Sequence, residues 1–400
     1  MSVFGKPLDV VASTDIEALK STGAQESQYL DYKRDAYGSD TKELLRDITS
    51  FANAYGGEVI VGVEEDGDGR PQSIPGLNEY KLECTRYEQS AMTGIDPRIP
   101  GLKVYAVPFA DPAKGVIIVS VPRSSRAPHM VTVGGEDRFW RRHGRHKSRM
   151  TTADIGESFR FGREYLKLSE DYLEGAKRAA LNSGISEPRL VLGALPALQP
   201  ERPIGPGEAW AREILARPHG KQNRASLLPE MDPQHEEIRP TLRGLVRLWR
   251  AEPQQPSLAL HRNGYLELRN RCITGIGGVR EDEIEFGGFA SLCVDFFRLA
   301  SQVYHKLGYE GEVFAFGAIA KTEGLRLRDM PVALTGGSDH RSRDADPRGC
   351  PEVPNLVVEP WSYSTSETPE SQAQRFADVV YNAFGHERAP SIKDSQYGHV

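Results

Sequence analysis

A chain of 400 residues, 38% hydrophobic and 26% charged, is a globular mixture long enough for two or three domains and too apolar for a disordered one. No apolar run approaches the roughly 20 residues of a membrane span, and the opening MSVFGKPLDVVASTD has neither the basic start nor the apolar stretch of a signal peptide. The net charge of −6 conceals a basic block: residues 123–149 hold eight Arg and Lys against Glu136 and Asp137, whereas residues 1–122 carry seven more acids than bases.

In chain order, TDIEALKST (14–22) predicts a short helix capped by Thr14 or Asp15. QYLDYKR is a strand candidate of alternating polarity. Ser39 and Asp40 can cap the helix that follows, whose apolar positions Leu44, Leu45, Ile48, Phe51, Ala52 and Tyr55 make one amphipathic face. Gly56 and Gly57 end that helix, and EVIVGVE reads as a buried strand closed by the turn DGDGR. A helix around 77–92, the strands LKVYAVPFA and KGVIIVSVP, and the short strand RFWRRHG complete the first half, before a helix opening at Thr151 or Thr152. The expectation is an α+β domain over 1–160 with hairpin strands and helices on one side, then a helical connector over 161–184.

Residues 185–400 read as a second α+β domain. RLVLGALP opens it as a strand, and Asn263-Gly264 within SLALHRNGYLELRNR is a hairpin signal. Leu292, Cys293, Phe296, Leu299, Ala300, Val303 and Leu307 form a helical stripe, VFAFGAIAK and NLVVEPWSY are strands, and SQAQRFADVVYNAF is a terminal helix. GGSDHRSRDADPRGC between them is a polar loop.

Several chemistries are excluded. There is no G-x-x-x-x-G-K-[ST] phosphate loop, ITGIGGV lacks the setting of a dinucleotide fingerprint, and no G-x-S-x-G elbow occurs. The ten histidines show no metal-ligand spacing. Cys84, Cys272, Cys293 and Cys350 form no C-x-x-C pair, which points to free thiols in a reducing, cytoplasmic setting. What remains is carboxylates. Asp31 and Lys33, two apart on a strand, share a face; Glu26 precedes them, and Glu64, Glu65 and Asp66 end a strand that could lie alongside. Three carboxylates and a lysine can hold Mg²⁺ or Mn²⁺ against a phosphate, or can be an acidic rim paired with Lys33 and Arg34. Asn53 positions a loop or a water near that site or closes its own helix. The basic block points to a polyanion partner, or to arginines paired with the acids upstream.

The ordered string ES-x-x-L-D-Y-K, F-A-N-A-Y-G-G, E-V-I-V-G-V-E with a D-G turn, and FWRRHGRHKSRMT resembles the Schlafen-type AlbA-like domain over residues 13–160. The resemblance implies a metal-dependent endoribonuclease acting on structured RNA, with tRNA as the expected partner; such an enzyme needs restraint, so residues 185–400 are expected to sense a trigger, in phage defence or stress. Glu26, Asp31 and a third acid, Glu64 with Glu65 or Asp66 as its rivals, would hold the metal, Lys33 would assist at the phosphate, and Arg34, Arg138, Arg141, Arg142, Arg145, Lys147 and Arg149 would grip the backbone. Asp31 stands where the family has glutamate, and Tyr32 where it has phenylalanine. The single lobe implies a homodimer. The alternatives are a non-catalytic DNA- or RNA-binding regulator and an ATP-binding regulator.

Overall fold

The computed structural model describes residues 3–4, 6, 8–39, 41–181, 189–198, 200, 203–216, 236–249, 257–271, 283–328 and 355–392. Asp40, the ITGIGGV segment, Cys272, Cys350 and the GGSDHRSRDADPRGC loop lie outside the described residues. The chain divides into two compact units, Met1–Leu168 with Gly308–Glu312, and Ser169–Leu307 with Val313–Val400.

In the first unit, α1 (Ser13–Thr22) is capped from its first turn, because Asp15 Oδ2 accepts the Ala12 N–H at 2.8 Å. β1 (Leu30–Lys33) is joined through α2 (Lys42–Ala52) to β2 (Gly57–Val61), and the two strands pair in parallel, Asp31 opposite Val59 and Lys33 opposite Val61. A short ladder joins β3 (Glu64–Glu65) to β4 (Pro71–Ser73), and β5 (Leu77–Asn78) leads into α3 (Tyr80–Gly94), β6 (Ile95–Asp96) and β7 (Lys103–Pro108). β8 (Lys114–Val121) is the spine of the sheet, antiparallel to β2, β5 and β7. β9 (Met130–Val131), β10 (Arg138–His143) and β11 (His146–Arg149) form a second sheet with β6, after which α4 (Thr152–Leu181) begins.

The expectation of helices on one side is corrected: both faces of the main sheet are covered. Val59, Val61, Ile117, Val119 and Val121 pack with Leu44, Leu45, Ile48, Phe51 and Tyr87 of α2 and α3, while Ile60, Val116 and Ile118 pack with Ile16 and Leu19 of α1. The reason is legible in the strands, since VIV and VIIV are continuous apolar runs, and unbroken runs mark burial on both sides.

The second unit is a seven-stranded sheet ordered β13-β14-β15-β16-β12-β18-β20. Its strands are β12 (Arg189–Pro196), β13 (Glu236–Pro240), β14 (Gly244–Trp249), β15 (Ser257–His261), β16 (Leu266–Arg271), β18 (Glu312–Ala320) and β20 (Asn355–Ser364). A separate parallel pair joins β17 (Glu283–Glu285) and β19 (Arg326–Arg328), and the helices are α5 (Ala209–Ala216), α6 (Phe286–Lys306) and α7 (Pro369–Ala383). The hairpin expected at Asn263-Gly264 is β15–β16, with Leu258 opposite Leu268. Among the described residues no helix is long and apolar enough to cross a membrane.

Candidate nucleic-acid interface

Register sets the charged cluster beneath β1. Residues opposite in a parallel pair share a face, so Asp31 and Lys33 point with Val59 and Val61 towards α2. There Asp31, only 4% exposed, takes Lys33 Nζ on one oxygen and Arg142 Nη2 on the other at 3.0 Å. Asp47 of α2, 1% exposed, accepts the Tyr37 hydroxyl at 2.6 Å and Lys147 Nζ, and stands 4.0 Å from Lys33 Nζ. Burial opposes the charge on Lys33, but Asp47 and Asp31 outweigh it and hold the ammonium above its ordinary range. Asp47 is the residue that the sequence reading missed. Its signal was a carboxylate one helical turn before Phe51, on the edge of the apolar face.

The predicted metal acids do not converge. Glu26 accepts the Tyr32 N–H at 2.8 Å, and its other oxygen lies 3.8 Å from Arg145 Nε. Its carboxyl is pushed up by burial, with Asp31 and Glu65 adding repulsion against the Tyr32 hydrogen bond. Glu64 points away, to the Ser73 hydroxyl at 2.6 Å and Arg34 Nη1 at 3.4 Å. The β3–β4 register is irregular at this point, and Glu65, after Asp31, adds to the negative charge that Glu26 feels. Asp66 is a turn former, its Oδ1 accepting the N–H groups of Asp68 and Arg70 at 2.8 and 2.9 Å. Among the described residues no three His, Cys, Asp or Glu side chains are grouped to hold a metal ion. As placed, the donor set does not fit Mg²⁺ or Mn²⁺, because both Asp31 oxygens and one oxygen of Glu26 are committed to protein donors.

Strand alternation also divides the basic block. Trp140, Arg142, Lys147 and Arg149 share the α2 side of the β10–β11 hairpin, where Trp140 pairs with Arg149 and Arg142 with Lys147. Arg142 is a correction to its expected role on a phosphate backbone. It is 3% exposed, its Nε donates to the carbonyls of Ser27 and Gly144, its Nη2 to the carbonyl of Leu30 and to Asp31, and its guanidinium lies 4.5 Å from the Phe51 ring centroid. Lys147 is spent on Glu43 and Asp47, and Arg145 on the Asp68 carbonyl and Glu26. Arg34 is exposed beside Glu64. Among the described residues Arg123, Arg138, Arg141 and Arg149 have no carboxylate within ion-pair distance.

Residues 26–151 match the family model described as Schlafen, AlbA_2. This part of the chain is a Schlafen AlbA_2 domain. No curated protein matches the chain. A protein from Corynebacterium diphtheriae, described as DIP2311, is 20% identical over 36% of this chain and 27% of its own, with a TM-score of 0.25. The N-terminal domain of a protein from Nitrosomonas europaea, described as a putative ATP-dependent DNA helicase RecG-related protein, is 16% identical over 36% of this chain and 95% of its own, also with a TM-score of 0.25.

Within the AlbA_2 domain, the FANAYGG motif is a junction. Asn53 Nδ2 donates to the carbonyls of His129 and Trp140 at 2.8 and 2.9 Å, and its Oδ1 accepts the His129 N–H at 2.6 Å. Asn53 is the C-cap residue of α2, and its amide ties that helix end to both neighbouring segments, so the side chain positions backbone and not a water. Beside it a cleft of about 100 Å³ is lined by Arg123, Ser124, Arg141, Glu157, Ser158 and Phe161, among others. His129 is fully buried, with Nδ1 2.6 Å from the Pro97 carbonyl and no partner for Nε2. Burial pulls it down to about 4.

Proposed function

We propose that the AlbA_2 domain binds nucleic acid, with Arg123, Arg138, Arg141 and Arg149 as its backbone contacts. One observation carries this reading: the hairpin turns two of its cations inward onto Asp31 and Asp47, yet among the described residues Arg138, Arg141 and Arg149 make no ion pair, Arg141 reaching Asp154 only through longer-range attraction. Cations left without internal partners are what a phosphate backbone neutralises, with release of its counterions. The measurement is fluorescence anisotropy of the full chain with labelled tRNA and with duplex DNA. Arg138→Ala and Arg141→Ala should each weaken binding on any sequence. Failure of the wild-type chain to bind either polymer, or variants that bind as tightly as wild type, would sink the reading.

A second, finer reading is the metal-dependent endoribonuclease acting on structured RNA such as tRNA, with a second copy of the chain supplying the other lobe. The observation that favours it is Glu26, whose carboxyl is held above its usual range beside Asp31, Glu65 and Lys33. A carboxyl so poised suits proton transfer near a scissile phosphate, and Lys33 would add positive charge there. No step is drawn through Mg²⁺ or Mn²⁺, for which these carboxylates are not grouped. Labelled tRNA incubated with Mg²⁺, Mn²⁺ or EDTA tests it beside Glu26→Gln. Discrete metal-dependent fragments that vanish in the variant support cleavage; tRNA that is bound but intact leaves the binding function alone.

A further inference from the structure

Two aromatic–glycine pairs flank one arginine in the first unit, one of them just beyond the AlbA_2 match. After α2, Tyr55 precedes Gly56, where φ is +74° and an added Cβ would stand 2.5 Å from the backbone N of Arg123. In α4, Phe161 precedes Gly162, where a Cβ would stand 3.0 Å from the Ser125 carbonyl oxygen. The absence of a side chain at both positions lets two separate elements lie against residues 121–127. That approach brings the Tyr55 and Phe161 rings to the same guanidinium, with centroids 5.7 and 5.0 Å from Arg123 Cζ. Tyr29 meets Tyr55 edge-on at 6.2 Å.

Core packing does not account for these rings. Tyr29, Tyr55 and Phe161 are 43%, 46% and 38% exposed, and none belongs to either core of the domain. They continue into the cleft that holds Arg141, with Glu157 as its single acid. We infer that this platform is a stacking site for unpaired nucleotides, the bases lying against Tyr29, Tyr55 and Phe161 and the phosphates against Arg123 and Arg141. The chemistry selects this occupant. Rings interleaved with cations match a chain whose flat bases alternate with phosphates, and a base inside a duplex has no free face to offer. A purely apolar protein partner would leave the charge of Arg123 unmet at the centre of its contact.

The inference rests on the nucleic-acid reading above and deepens it. The test is anisotropy of the full chain with a fluorescein-labelled oligouridylate and with an RNA duplex, using Tyr55→Ala, Phe161→Ala, Tyr55→Phe and Arg138→Ala. Base–aromatic stacking predicts that Tyr55→Ala and Phe161→Ala each weaken single-strand binding about 5- to 100-fold, with duplex binding unchanged. Tyr55→Phe keeps a ring and should restore the affinity. Alanine variants that bind the oligouridylate like wild type, while Arg138→Ala loses affinity for both probes, would overturn the stacking site and leave the domain reading standing. Equal losses on both probes from Tyr55→Ala would also overturn it. Sedimentation of wild type and Tyr55→Ala reads the protein alternative: self-association lost with the ring while single-strand binding persists would assign the platform to a second copy and overturn the stacking site. Wild-type chain that binds neither probe would remove both readings.

Discussion

Arg142 shows how much a single side chain can organise. Its guanidinium satisfies three carbonyls and a buried carboxylate at once, a fork that an ammonium cannot reproduce. Arg142→Ala would leave Asp31 buried with only Lys33 to offset it, at a cost of about 3–5 kcal/mol, and Arg142→Lys should recover little of that. Urea unfolding of the three proteins measures it; a lysine variant as stable as wild type would contradict the account. His129 makes a separate prediction. Its folded value of about 4 lies below the ordinary 6.5, so between those limits the unfolded chain binds a proton that the native chain refuses. Stability therefore falls as pH drops from 6.5 to 4, by about 3 kcal/mol at most. Glu26 acts in the opposite sense, because its raised carboxyl retains a proton when folded. The comparison of wild type with His129→Asn isolates the histidine: the variant should lose the acid-side slope, and identical pH profiles would refute the assignment.

At the scale of elements, the β10–β11 hairpin and the end of α2 are one assembly. Asn53 couples them with two donated bonds and one accepted bond, a pattern that an amide alone supplies. Asn53→Ala leaves buried backbone groups unpaired, at about 1–3 kcal/mol. Asn53→Asp sets a carboxylate oxygen against two carbonyls and should be the worse of the two. Thermal melting ranks them, and an aspartate variant as stable as the alanine variant would show that the donors do not matter. Asp47 belongs to this assembly as well. The apolar pattern of α2 was readable in the sequence, but the buried acid on its edge becomes interpretable only when Lys147 arrives from β11, a hundred residues later.

Across the whole molecule, the charge distribution is the property with consequences. An acidic chain carries a local set of surface arginines on one domain, so its hold on nucleic acid should be strongly salt-dependent. With four backbone contacts, the slope of log affinity against log salt should be about −3 to −4, and each arginine removed should lessen it by about one. A salt titration of RNA binding reads this directly; a flat dependence would mean that the arginines are not at the backbone. The second unit has its own core, in which Val191, Leu195, Tyr265 and Phe316 pack with Leu173.

The sequence by itself determined the elements and the kind of domain. Period and punctuation suffice for α2, β2, β8 and the Asn263-Gly264 hairpin, because local spacing decides which face of a helix or strand is apolar. The ordered motifs from Glu26 to Met150 likewise point to the AlbA_2 domain, which the family match supports independently. The tertiary structure alone decided which charges meet. The pairing alternative for the basic block holds for Arg142, Arg145 and Lys147, which meet acids upstream, while among the described residues Arg123, Arg138, Arg141 and Arg149 make no ion pair. No spacing rule could divide them, since the division depends on how β10 and β11 lie against α2. Glu64 and Glu65 differ for the same reason. The β3–β4 ladder is irregular between them, and no spacing in the sequence says which of the two lies near Glu26.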